Sequence, residues 1–264
     1  MIRKPCILTD RAVIAVTGAE AKTFLQGLVT NDVTKLTPEQ PLYAAHLSPQ
    51  GKILFEFLLY EAGEAVLIDC LKDARAALLK RLSLYKLRAK VEIAPRDDLI
   101  VVADEGPPDP RLAKLGHRSI LPATTDTVDG TDAYHDWRWD LGVPEGGDFA
   151  SDYSAGRIFA LDGGLDELHA VSFDKGCYVG QELTARMKHR GTDRKRLLPV
   201  TSPLADLATG VAVTADDIEL GTVMSAYGDA GFALIRLDRL AEAAAPLTVS
   251  GVEVSITKPD WLFT

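Results

Sequence analysis

A chain of 264 residues, 47% hydrophobic and 25% charged, is long enough for one large or two modest cores, and its composition excludes disorder and collagen-like repeats. Its net charge of -9 argues against a protein that binds nucleic acid with its whole surface, although a local basic patch stays open. Three cysteines, Cys6, Cys70 and Cys177, lie far apart with no CxxC pair and no metal-ligand spacing, which fits a reducing compartment.

At the N-terminus Arg3 and Lys4 are followed by Asp10 and Arg11, which interrupt any apolar leader core, and no later run approaches the roughly eighteen apolar residues of a spanning helix. The expectation is a cytoplasmic protein without a membrane segment. The apolar residues 13–16 lead to Thr17-Gly18-Ala19-Glu20, a capping-box pattern for a helix with Phe24, Leu25 and Leu28 on one face. That helix gives way to Thr30-Asn31-Asp32. Residues 41–47 and 53–60 read as two strands joined by Ser48-Pro49-Gln50-Gly51, with proline and glycine where a hairpin turn wants them. Within the second strand Glu56 is the one acidic residue and reads as the solvent-facing member of an alternating pattern.

A strand over 65–69, an apolar-periodic helix over 73–87, and strands over 88–93 and 99–103 follow, so the class is mixed α and β. Residues 105–110, with three prolines and a glycine, predict a loop. Trp137-Arg138-Trp139 precedes a Gly-x-Pro turn; the Arg138 fork suits a carboxylate and the tryptophans a flat ring, the plain alternative being ordinary packing with an exposed arginine. After Gly191, short strands over 195–200, 210–213, 218–227, 232–237 and 247–256 suggest a small barrel.

Between these regions lies Lys175-Gly176-Cys177-Tyr178-Val179-Gly180-Gln181-Glu182. A short helix over 181–189, closed by Gly191, puts Cys177 just ahead of a helix N-terminus, where Lys175 and the helix dipole favour a thiolate. The plain alternative is a small buried hydrophobe. Arg186, Lys188, Arg190, Arg194, Lys195 and Arg196 form a basic cluster suited to an acidic partner, a polyglutamate tail or RNA phosphates, or simply to a solvated face. The five histidines fall in no HExxH or Ser/His/Asp motif, and neither a P-loop nor GxGxxG is present.

The run Lys175 to Glu182, with residues 24–33 and 137–146, resembles the YgfZ family, folate-binding relatives of the glycine-cleavage T-protein that include iron-sulfur assembly factors. The resemblance implies an α+β fold, with Trp137-Arg138-Trp139 in a strand that leads into the Gly-x-Pro turn. A T-protein-like folate-binding region of two interleaved α/β subdomains would span residues 1–192, and a C-terminal β-barrel residues 193–264. It implies a tetrahydrofolate-binding accessory factor that supports iron-sulfur cluster assembly or repair in client enzymes, including radical enzymes that modify tRNA. Cys177 is then the working thiol with Lys175 beside it, and Asn31, Glu56, Trp137, Arg138, Gln181 and Glu182 belong to the folate site. The expected partners are folate and iron-sulfur client or assembly proteins, with RNA weakly supported. The alternative is folate-dependent aminomethyl transfer. Against it, the T-protein's paired aspartates are reduced here to Glu56, and general acid/base work needs a well-placed carboxylate.

Overall fold

Strands and helices alternate through the first half of the chain. In this computed structural model, which describes residues 5–149, 156–191 and 194–262, β1 (Cys6–Ile7) and β2 (Arg11–Thr17) precede α1 (Ala21–Gln26). The hairpin β3 (Leu42–Leu47) and β4 (Ile53–Ala62) leads to β5 (Ala65–Leu71), α2 (Arg75–Lys86) and β6 (Glu92–Pro95). Then come β7 (Leu99–Pro108), β8 (His117–Pro122), β9 (Val128–Asp129), α3 (Thr131–Asp140) and α4 (Gln181–Arg190). The chain continues with β10 (Lys195–Thr201), β11 (Ala212–Ala215), β12 (Ile218–Tyr227), β13 (Ala230–Arg236), α5 (Leu237–Glu242), β14 (Leu247–Val249), β15 (Val252–Glu253) and β16 (Ser255–Ile256).

Three sheets result: a five-stranded one in the order β3-β4-β5-β2-β6, a four-stranded one in the order β8-β7-β1-β9, and a seven-stranded one in the order β15-β14-β11-β12-β13-β10-β16. The edge strands β15 and β16 of the last are separated in sequence only by Val254, so that sheet curls nearly closed as a barrel. The expected barrel is therefore present. Its proposed start at residue 193 lies outside the described residues.

The five-stranded sheet is covered on both faces. One face carries Phe55, Phe57, Leu59 and Ile68 into a core closed by Leu25, Leu28, Leu78 and Leu82 from the α1 and α2 regions. The other carries Val13, Tyr43, Leu58 and Tyr60 against residues of the four-stranded sheet, the 158–170 segment and the barrel. This explains the near-continuous apolar run of β4, since a strand buried on both faces has no side to give to polar residues. Glu56 is accordingly 5% exposed, and its expected solvent-facing place does not exist.

Three local expectations fail for identifiable reasons. Glu20 makes no side-chain cap for α1; its carboxylate accepts instead from the Lys90 N–H at 2.8 Å. Residues 105–108 belong to β7, because a register shift between Ala103 and Pro108, with Asp104 and Gly106 at φ of 61° and 85°, absorbs the prolines. Trp137-Arg138-Trp139 is helical. Asp129 accepts from the Thr131 N–H at 3.0 Å to start α3, and Tyr134 and Arg138, four apart, make its buried face. No helix among the described residues is long and apolar enough to cross a membrane.

His46, fully buried in β3, gives the core a pH dependence. Its Nδ1–H donates to the Leu28 carbonyl at 3.0 Å, while Nε2 is buried without a hydrogen-bond partner. A second proton would have no acceptor, and burial pushes the imidazole down from 6.5 to about 4. The folded state thus prefers the neutral ring, so this contribution is complete above pH 6.5 and is lost as pH falls toward 4. At 1.36 kcal/mol per unit the loss reaches roughly 3 kcal/mol. Urea melts at pH 7 and pH 4.5 should show a smaller stability difference for His46→Leu than for the wild type; parallel curves would contradict the assignment.

Candidate functional site

The cysteine stretch is fastened to the five-stranded sheet along its whole approach. The Thr30 hydroxyl donates to the Ala170 carbonyl at 2.6 Å, and the Ser172 N–H donates to the Thr30 carbonyl at 3.0 Å. The Asn31 side-chain amide bridges the carbonyls of Tyr43 and His169 at 2.7 and 2.8 Å. Asn31 therefore acts as a tie between the sheet and this segment, with its amide N–H groups already in use.

Lys175 completes the attachment. Its ammonium donates to the carbonyls of Gln26, Val29 and Asn31 at 2.8, 2.7 and 2.7 Å, closing the end of α1 with its full set of donors. Only 7% of the residue is exposed, and burial pushes the amine down to about 8. The expected partnership with Cys177 gives way to this anchoring role. Gly180 seats the next turn at φ 86°, where a Cβ would stand 2.6 Å from the Ser48 carbonyl oxygen and 2.8 Å from Leu47 Cβ. Glycine is required there twice over, by conformation and by space.

Between these two fixed points Cys177 is exposed, three residues ahead of the Gly180 N-cap of α4, and nothing stands within 4 Å of where a Cβ on Gly176 would be. Cys70 is buried, its Sγ–H meets the Ala12 carbonyl at 3.6 Å, and burial pushes its thiol up to about 12. Cys6 is half-buried. The arrangement offers an exposed thiol to an outside molecule on a loop anchored at both ends.

The remaining expected site residues do not gather around Cys177. Glu182 lies at the solvent side of α4 and pairs with Arg186 at 2.8 Å, and Gln181 opens the helix with its N–H on the Tyr178 carbonyl. Trp137 donates its indole N–H to the Lys114 carbonyl at 2.9 Å. Arg138 is buried, its Nη1 held by Asp148 at 2.6 Å and by the Val143 carbonyl at 3.1 Å while Nε donates to His135. The carboxylate expected in its fork is the protein's own Asp148. Half of the basic cluster is likewise paired, with Arg186 on Glu182, Lys188 on Asp166 and Arg196 on Glu167.

Glu56 belongs to a buried ion network that pattern reading missed. The Asp69 carboxylate accepts from Arg11 and Arg118 at 2.7 Å each, and Asp109 takes Arg111 in a two-point grip at 2.9 and 2.7 Å. Glu145 stands at the centre, accepting from Arg11 at 3.2 Å, from Arg118 at 3.1 Å, from the Tyr134 hydroxyl at 2.9 Å and from Arg111. Burial opposes its charge, but Arg118, Arg111 and Arg11 together hold its carboxyl well below the usual range. Glu56 accepts from the Gly146 N–H at 2.9 Å and meets Arg11 at 3.5 Å; burial lifts its carboxyl above the usual range despite Arg11. The available signal was a lone charge inside an apolar strand, as in Arg11, Glu56, Asp69 and Arg118.

The fold is an aminomethyltransferase-like one with a C-terminal barrel. The crystal structure of glycine cleavage system aminomethyltransferase T from Bartonella henselae superposes with a TM-score of 0.71 over 97% of this chain and 85% of that one, at 14% identity, a likeness of fold alone. A model of the CAF17 C-terminal beta-barrel domain matches residues 194–264. The iron-sulfur cluster assembly factor IBA57 of Mus musculus, a mitochondrial protein, is 34% identical over 303 residues, spanning 96% of this chain and 84% of the relative. Its Homo sapiens counterpart is 32% identical with the same coverage, and the Neurospora crassa homologue is 33% identical over 73% of this chain and 52% of its own length. The chain belongs to the CAF17/IBA57 family of iron-sulfur cluster assembly factors.

These relatives overturn the cytoplasmic expectation, because they are mitochondrial proteins. Cysteine usage reports redox conditions and does not distinguish one reducing compartment from another.

Proposed function

We propose that this chain supports iron-sulfur cluster assembly by presenting Cys177 as a redox or transfer thiol to an assembly or client protein. The exposed thiol on a loop tied down by Lys175, Asn31 and Gly180 is the observation that carries this reading. One cysteine cannot supply the four thiolates usual for a cluster, so the thiol acts together with a partner's groups. The YgfZ-like motif points to client enzymes that include radical enzymes modifying tRNA.

Tetrahydrofolate, expected from the same resemblance, fits the named residues poorly. Arg138 is held by Asp148, and Asn31 and Trp137 donate to backbone carbonyls; Glu56 accepts from Gly146 and Arg11 on Oε1, and its Oε2, buried without a hydrogen-bond partner, is the one acceptor of the set left over. Aminomethyl transfer is disfavoured for the same reason, since Glu56, the one acidic candidate, already accepts a backbone hydrogen bond in a buried site.

The test is complementation. In cells lacking their own factor of this family, the intact chain, targeted to the compartment of that factor, should restore the activity of iron-sulfur enzymes, tRNA-modifying ones among them. Normal protein levels with no recovery of any iron-sulfur activity would refute the reading. Calorimetry with millimolar tetrahydrofolate addresses the ligand separately, and saturable heat weakened by Glu56→Gln would return folate to this site.

A further inference from the structure

A cleft of about 320 Å³ separates α3 from the barrel, remote in sequence from the cysteine loop, and its chemistry is one-sided. Asp136 and Asp140 enter it from α3 and Asp229 from the β12–β13 turn, with Trp139, Tyr227 and Phe232 among its apolar walls. The described residues lining it include no lysine, arginine or histidine. None of the three carboxylates is in an ion pair, in contrast to the acidic side chains of the buried network. Asp132, Asp136 and Asp140 stand at four-residue intervals on one helix, where like charges repel and destabilise it. An unpaired row of this kind conflicts locally with the fold, as expected where a helix face serves a ligand.

The aromatic walls add a second feature. The Arg138 guanidinium stands 5.2 Å from the Trp139 ring centroid, and the Tyr227 ring centroid is 4.2 Å from it. Tyr227 is 41% exposed, so a ring surface remains open on the cleft side. The Trp139 indole N–H is buried and has no hydrogen-bond partner, a second local conflict in the same wall. Among the described residues no three acidic, histidine or cysteine groups converge as a metal site, so the charge is spread along the cleft rather than focused on one ion.

We infer that this cleft binds an extended organic cation bearing ammonium or guanidinium groups, which Asp136, Asp140 and Asp229 attract while the Tyr227 ring takes a cationic group on its open surface. Its volume lies at the lower end of ligand pockets, about 300–1,000 Å³, and suits a polyamine or the basic side chains of a short peptide segment. Calorimetry of the intact chain at low salt, with spermidine in one arm and a capped tetrapeptide carrying two arginines in the other, distinguishes these sources. Saturable binding in either arm, weakened roughly tenfold by the double substitution Asp136→Asn and Asp140→Asn, is the expected result. The Asp132→Asn variant, on the same helix but outside the lining, should bind as the wild type does. Absence of saturable heat from both probes, or equal weakening by Asp132→Asn, would overturn the inference. The substituted residues are exposed, and unchanged melting of each variant separates lost binding from lost fold.

Discussion

Replacing Glu145 with alanine should cost about 3–5 kcal/mol, the largest single loss expected in this chain. The substitution leaves Arg11, Arg111 and Arg118 buried with Asp69, Asp109 and Glu56 as their remaining acidic partners, and it removes the acceptor of the Tyr134 hydroxyl. The three guanidiniums keep their desolvation cost while losing the carboxylate they share, which is why removal of one partner exceeds the net worth of its pairs. Against a total stability of about 5–15 kcal/mol, much of the folded population's margin disappears. Urea unfolding should show the midpoint falling sharply with the slope retained. A change under about 1 kcal/mol would mean that water reaches the network and shares its charge. Glu145→Gln should cost less than alanine, since it keeps an acceptor for Tyr134 while losing the charge.

Cys177→Ala should have the opposite profile: a fold almost untouched and a function abolished. The side chain is exposed, so stability should stay within about 0.5 kcal/mol of wild type, while Lys175 and Gly180 still hold the loop. Support of iron-sulfur enzymes in the complementation assay should vanish. Iodoacetamide at neutral pH should label Cys177 first, then the half-buried Cys6, with Cys70 protected by burial and by its raised thiol. Rescue by the alanine variant equal to wild type would remove Cys177 from the mechanism. Faster labelling of Cys6 or Cys70 would show instead that its accessibility had been misjudged.

Sequence pattern alone determined those features whose causes are local. The β3–β4 hairpin follows from two apolar runs around Ser48-Pro49-Gln50-Gly51, the buried face of α2 from Leu78 and Leu82 four apart, and the barrel from short strands separated by glycine and aspartate turns. The position of Cys177 before α4 was legible for the same reason, because Gly180 and Gly191 bracket ten helix-forming residues. What a side chain faces was not legible. Lys175 beside Cys177 reads as an activating cation, yet its ammonium reaches back to residues 144 to 149 positions earlier in the chain. Arg138 reads as a free fork on a strand, but helical spacing turns it inward to Asp148. Glu56 reads as a surface residue, while a second layer over the sheet buries it in the network that joins Arg11 to Glu145 across 134 positions. Turns and periods arise within a few residues of backbone, whereas the partner of a charge is decided by which distant segments the packed sheets bring together, and in this protein only the tertiary structure supplied those partners.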